Sequence, residues 1–157
     1  MPGRTIVNIL PETVAKLAEI DNIIGIKEAC GSLEQISDVI RMCPKDFIVL
    51  SGDDFTAMPT ILIGGQGVIS VVSNVEPLKM AKLMEASLEG NWQEANTLHY
   101  ELFPLMKTMF CSPSPGPAKK GLELLGKIDG FSRLPIPPLN EAALAKLKDA
   151  MKGLSLI

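Results

Sequence analysis

One stretch constrains this chain more than any other: Ile23-Ile24-Gly25-Ile26-Lys27-Glu28-Ala29. A short β-branched run bounded by polar residues reads as a buried strand of a parallel sheet. The run ends in Lys27, so the lysine stands at the carboxyl end of the strand. In barrel and open α/β folds that end faces the ligand. A lysine amine becomes a useful nucleophile near neutral pH only after losing about three pK units of basicity, roughly 4 kcal/mol, and imine-forming sites achieve this by desolvation. The alternative is a lysine whose stem follows the strand and whose ammonium reaches water. Position alone leaves both readings open. Glu28 points to the opposite face of the strand and reads as structural.

The rest of the first half repeats one pattern. Met1 to Thr5 reads as a loop, and a helix follows from Pro11, with Val14, Leu17 and Ala18 on its buried face. Ser32 and Gln35 form a capping-box pair ahead of a helix carrying Leu33, Ile36, Val39, Ile40 and Cys43, which Pro44 ends. Phe47–Leu50 is a second strand. Ser51-Gly52-Asp53-Asp54 is a loop that caps a helix from Phe55 to Ile63, and Gly67–Val72 is a third strand. Strand and helix alternate about every 22 residues, the repeat of a parallel sheet with right-handed crossovers. Asp53 and Asp54 suit helix capping better than metal or acid–base work. Gly64, Gly65 and Gly67 precede a strand, which is the wrong setting for a phosphate loop.

Beyond Pro77 the pattern becomes helical. Leu78, Ala81 and Met84 line one helix. Asn91 and Glu94 cap the next, whose stripe is Trp92, Ala95, Leu98, Leu102, Met106 and Met109, with Pro104 expected to kink it. Ser112 to Pro117 is a rigid turn, a short helix covers Ala118–Leu125, and Pro135, Pro137 and Pro138 form an extended linker. The last helix starts at Asn140 and buries Leu144, Leu147 and Met151. Two domains are expected, residues 1–75 and residues 76–157.

Composition excludes several functions. A net charge of −3 without a basic run speaks against nucleic acid and membrane surfaces, and no apolar stretch reaches the length of a membrane span. Three widely spaced cysteines suit neither a disulfide framework nor a zinc site, so a reducing cytoplasm is expected. With His99 the single histidine, His-based metal sites and Ser-His-Asp catalysis are not expected.

Gly25-Ile26-Lys27-Glu28-Ala29, Ser51-Gly52-Asp53-Asp54 and Gly67-Val68-Ile69-Ser70-Val71, with Pro2-Gly3-Arg4-Thr5 and Leu10-Pro11-Glu12-Thr13, together resemble the dihydrodipicolinate synthase family. These are pyruvate-dependent, Schiff-base (class I) aldolases and lyases, N-acetylneuraminate lyase among them. The resemblance covers essentially the whole chain. It implies an α/β fold: a partial (half) TIM (β/α) barrel followed by a C-terminal helical subdomain. It implies Lys27 as the imine lysine, the Ile69 backbone beside pyruvate, Arg4 on the carboxylate of the second substrate and Gly52 in the cavity floor. It further implies a lyase of lysine biosynthesis that condenses pyruvate with aspartate semialdehyde, without metal or organic cofactor. Lys27-Glu28-Ala29 favours the synthases over sister aldolases that act on sugar acids.

Complete barrels of this kind take about 250 residues. The resemblance therefore implies the C-terminal half of such an enzyme. The family's relay tyrosines and Thr-Thr pyruvate loop fall outside the matched part, and Tyr100, the single tyrosine, lies in the helical tail. Low turnover by this chain is expected, or a non-catalytic half-barrel that self-associates. Three parallel strands do not close. Ile23, Ile24, Ile26, Val49, Leu50, Val68, Ile69 and Val71 are expected on an open sheet, which a homodimer or larger homo-oligomer would cover.

Overall fold

A computed structural model describes residues 2–157. Met1, read as part of the opening loop, lies outside the described residues. The order is α1 (Pro2–Thr5), α2 (Pro11–Leu17), β1 (Gly25–Glu28), α3 (Leu33–Met42), β2 (Ile48–Ser51), α4 (Asp54–Leu62), β3 (Gly67–Val68), a 3₁₀ turn (Val72–Asn74), α5 (Pro77–Leu88), α6 (Trp92–Thr108), α7 (Gly116–Leu124) and α8 (Glu141–Gly153). Two compact units result. One runs to Ser70 and includes Met84–Trp92; the other holds Val71–Leu83 and Gln93–Ile157.

In the first unit the fold is mixed α/β around a parallel three-stranded sheet, in the order β1-β2-β3. Helices start where their caps allow. Pro11 opens α2, where its missing N–H is no loss. Ser32 Oγ accepts the Gln35 N–H at 3.2 Å, and Asp53 Oδ1 accepts the Phe55 N–H at 3.3 Å. Val14 of α2 and Ile36 and Val39 of α3 pack with Phe47 and Val49 into one core, with Ile26 and Ile40 against it. Each such aliphatic side chain contributes about 1.5–3 kcal/mol by leaving water.

That core covers one face of the sheet. Glu28, Val49 and Ser51 are buried, while their neighbours Lys27 and Ile48 are exposed. The expectation of an apolar sheet open along all its branched residues is therefore corrected. Val49 and Ile26 belong to the helix-covered side, and Ile23 also packs against that core. Ile24, Ile48 and Ile69 are the exposed members.

Element boundaries moved for identifiable reasons. The opening residues, read as loop, form the short helix α1. The first strand begins at Gly25, where the backbone comes so close to Ile48 that no Cβ fits. The third strand covers only Gly67–Val68. Ile69 N–H still donates to Ser51 O at 2.8 Å, but then Asn74 Nδ2 donates to Val71 O at 3.0 Å and the chain turns into the 3₁₀ segment. Leu17 and Leu33, expected in the core, are exposed.

In the second unit Leu102, Leu105, Met106, Met109, Leu147 and Met151 are completely buried. The α6 stripe holds at Ala95, Leu102, Met106 and Met109, while Trp92 and Leu98 are half-buried. The helix runs through Pro104 without interruption. The α5 stripe is corrected: Met80, Leu83 and Ala86 are buried, and Leu78 is 73% exposed. Asn140 Oδ1 caps α8 through the Ala143 N–H at 2.9 Å. α7 packs against α8 and the 3₁₀ turn, so closely at Gly121 that an added Cβ would lie 2.8 Å from Val75 Cγ2. Among the described residues no helix is long and apolar enough to cross a membrane.

The two stripes predict different responses to truncation. Leu102→Ala should lower unfolding free energy by about 2–5 kcal/mol, and Leu78→Ala by less than about 0.5 kcal/mol. Urea titration of both variants decides the assignment; equal losses would contradict it.

Candidate functional site

The pleat places the lysine. Lys27 lies opposite Leu50, and Leu50 opposite Gly67, so one row crosses the sheet from β1 to β3. Ala29, Gly52 and Ile69 continue the same face one step beyond the paired residues. Backbone bonds extend the ladder there: Gly52 N–H donates to Glu28 O at 2.6 Å, and Ile69 N–H to Ser51 O at 2.8 Å. Lys27, Gly52 and Ile69 therefore stand at the carboxyl ends of adjacent strands.

Gly52 is a glycine because of what surrounds it. A Cβ there would lie 2.6 Å from Ala29 Cβ and 2.8 Å from Lys27 Cε. The lysine stem thus runs along the Gly52 backbone. Ser51 Oγ locks the following loop: it donates to Asp53 O at 2.7 Å and accepts the Asp53 N–H at 3.2 Å. Burial pushes the Asp53 carboxyl up; its bond from the Phe55 N–H opposes this, and neighbouring Asp54 adds to it. Asp53 acts as a helix cap, in keeping with its sequence reading. Among the described residues no cluster of three His, Cys, Asp or Glu side chains forms a metal-ligand group.

Lys27 is exposed. Arg4 sits in α1, is also exposed, and has no hydrogen bond or ion pair to Lys27, Gly52 or Ile69. Cys30, Cys43 and Cys111 are free thiols, each pushed up chiefly by burial. Tyr100 is exposed on α6, where its ring meets His99 edge-on at 5.3 Å. A separate cavity of about 500 Å³, lined by residues such as Lys120, Glu123, Phe131 and Leu144, shares no residue with the surroundings of Lys27.

Sequence reasoning missed Gln35 and Asn8. The capping box forms only halfway. Gln35 does not reach back to the Ser32 N–H, which donates to Cys30 Sγ at 3.3 Å. Its Nε2 donates instead to Glu28 Oε2 at 2.9 Å and Asn8 Oδ1 at 3.1 Å. A glutamine three residues after a cap carries no sequence signal for that longer reach.

Gly52→Ala isolates the close approach. The lysine end can yield, but Ala29 Cβ is fixed to the strand, so destabilisation of about 1–3 kcal/mol is expected. Denaturant unfolding that leaves stability unchanged would show that the loop has room.

Comparison with known proteins covers nearly the whole chain. The model of the dihydrodipicolinate synthetase family matches residues 1–154. A 4-hydroxy-tetrahydrodipicolinate synthase of Desulfotalea psychrophila is 65% identical over all of this chain and 53% of its own length. That of Archaeoglobus fulgidus is 49% identical, over all of this chain and 54% of its own. The solved dihydrodipicolinate synthase of Thermotoga maritima superposes with a TM-score of 0.97 at 40% identity, covering 100% of this chain and 55% of that one. The chain spans about half the length of the curated relatives it matches.

Proposed function

Because the chain belongs to the dihydrodipicolinate synthetase family, we propose that it carries the imine-forming lysine of a 4-hydroxy-tetrahydrodipicolinate synthase, within the C-terminal half of a (β/α) barrel and its helical subdomain. One observation carries this reading. Lys27 stands near the carboxyl end of β1, its stem against a glycine that could hold no side chain just past the end of the neighbouring strand β2. The relatives' names favour the synthase over a sugar-acid aldolase.

The chemistry needs few groups from this chain. The neutral amine of Lys27 attacks the pyruvate ketone, and loss of water leaves a cationic imine. That nitrogen draws electrons from the methyl C–H bond, a proton departs, and an enamine forms. The enamine carbon bonds to the aldehyde carbon of aspartate semialdehyde, whose carboxylate Arg4 would hold. Hydrolysis of the imine then restores the amine. The Ile69 N–H is already donated to Ser51 O, so contact of the Ile69 backbone with pyruvate falls to its carbonyl. No cofactor enters these steps. Three unpaired thiols support a reducing, cytoplasmic setting.

Dehydration needs a proton shuttle, and relay groups are often worth 10²–10⁴-fold each. Lys27 should therefore take a pyruvate adduct while the 157-residue chain turns over slowly. Incubation with pyruvate and borohydride, then peptide mass mapping, tests the site. Adducts at other lysines but not at Lys27 would overturn it, and turnover matching a full-length relative would overturn the slow rate.

The uncovered face of the sheet supports self-association as a second property. Ile48 and Ile69 are 38% and 45% exposed beside the lysine row. Such a face on a parallel sheet is normally covered. A homodimer or larger assembly is expected by sedimentation at micromolar concentration. A cooperatively folded monomer that binds no hydrophobic dye would refute it.

A further inference from the structure

Glu28 follows the lysine directly and faces the other way. It is 5% exposed. Burying a carboxylate costs several kcal/mol unless its partners compensate. Among the described residues no Lys, Arg or His lies within ion-pair distance of it. Neutral donors hold it instead. Oε1 accepts the backbone N–H of Cys30 at 2.9 Å, and Oε2 accepts Gln35 Nε2 at 2.9 Å. Gln35 is fixed in turn: Nε2 also reaches Asn8 Oδ1 at 3.1 Å and Ile9 O at 3.4 Å, and Oε1 accepts Asn8 Nδ2 at 2.6 Å.

An apolar side chain at position 28 would fill this volume without the desolvation penalty. Core packing alone gives no reason for a carboxylate here. Its placement gives one. The carboxylate clamps the turn after β1 to the first turn of α3 and to residues 8–9. The backbone carbonyl of the same residue accepts the Gly52 N–H at 2.6 Å. Glu28 therefore ties together the strand end that bears Lys27 and the loop along which the Lys27 stem lies.

We propose that Glu28 is the positioning residue of Lys27: through Cys30, Gln35 and Asn8 it fixes the strand end, and so the direction of the amine across Gly52. This rests on the reading of Lys27 as the imine lysine. Glu28 itself faces away from the substrate side and takes no part in the bond changes.

The test uses the full chain, pyruvate and borohydride. Adduct at Lys27 is measured against adduct at Lys45, an exposed lysine in the same sample. Circular dichroism sets the folded fraction. Glu28→Gln keeps the volume and an acceptor for Cys30 but turns an amide nitrogen toward Gln35 Nε2, so donor meets donor. The Lys27-to-Lys45 ratio should fall about tenfold, the scale that small misplacements of a reacting group produce. A folded Glu28→Gln chain with an unchanged ratio overturns the proposal. If Glu28→Gln does not fold, Asn8→Ala loosens the same clamp from an exposed position. Its ratio should fall about threefold, and no change overturns the proposal. Absence of any Lys27 adduct in the unsubstituted chain is a different result: it defeats the imine reading itself, and the positioning role with it.

Discussion

The alternation of side chains along β1 decides which residues reach the open face of the sheet. Lys27 and Glu28 are neighbours in sequence and lie on opposite faces of one sheet. A slip of one residue against β2 would bury the amine and expose the carboxylate. Two features hold the register. Ile26 and Val49 must meet the helix core, and the Gly52 N–H must meet the Glu28 carbonyl. The apolar face thereby fixes which way Lys27 points.

Much of this architecture was legible because it rests on periodicity and caps. Ile36 and Val39, Leu102 and Met106, and Leu147 and Met151 fall on helical spacings that only a buried face explains. Ser32, Asp53 and Asn140 announced helix starts. What was illegible depended on tertiary neighbours. Nothing local in Gly67–Val72 reveals that the strand covers two residues and that the chain then turns, with the Asn74 side chain on the Val71 carbonyl. In α5, Leu78 and Met80 are both apolar and two positions apart. Their spacing does not say which one is buried.

The candidate site divides in the same way. Lys27, Gly52 and Ile69 share a sheet face because strand ends in a parallel sheet lie side by side, so their grouping followed once three strands were counted. Arg4 depends on a short segment with no core residue of its own, and no polar contact links it to the other three. Gln35 was visible as a capping residue, but its side chain serves Glu28. A glutamine can satisfy a nearby backbone or a distant carboxylate, and spacing alone does not distinguish them.

Strand order has a kinetic side as well. Gly25 pairs with Ile48 and Leu50 with Gly67, so each pairing closes a loop of roughly twenty residues. Parallel sheets are slow to form when their partners are distant in sequence, and here each strand meets the next one synthesised. The sheet can therefore assemble stepwise as the chain emerges from the ribosome. The same unit also includes Met84–Trp92. Its last piece arrives some fifteen residues after Ser70, during about one to three seconds of translation. The sheet side of the unit is thus complete in sequence before the segment that finishes it.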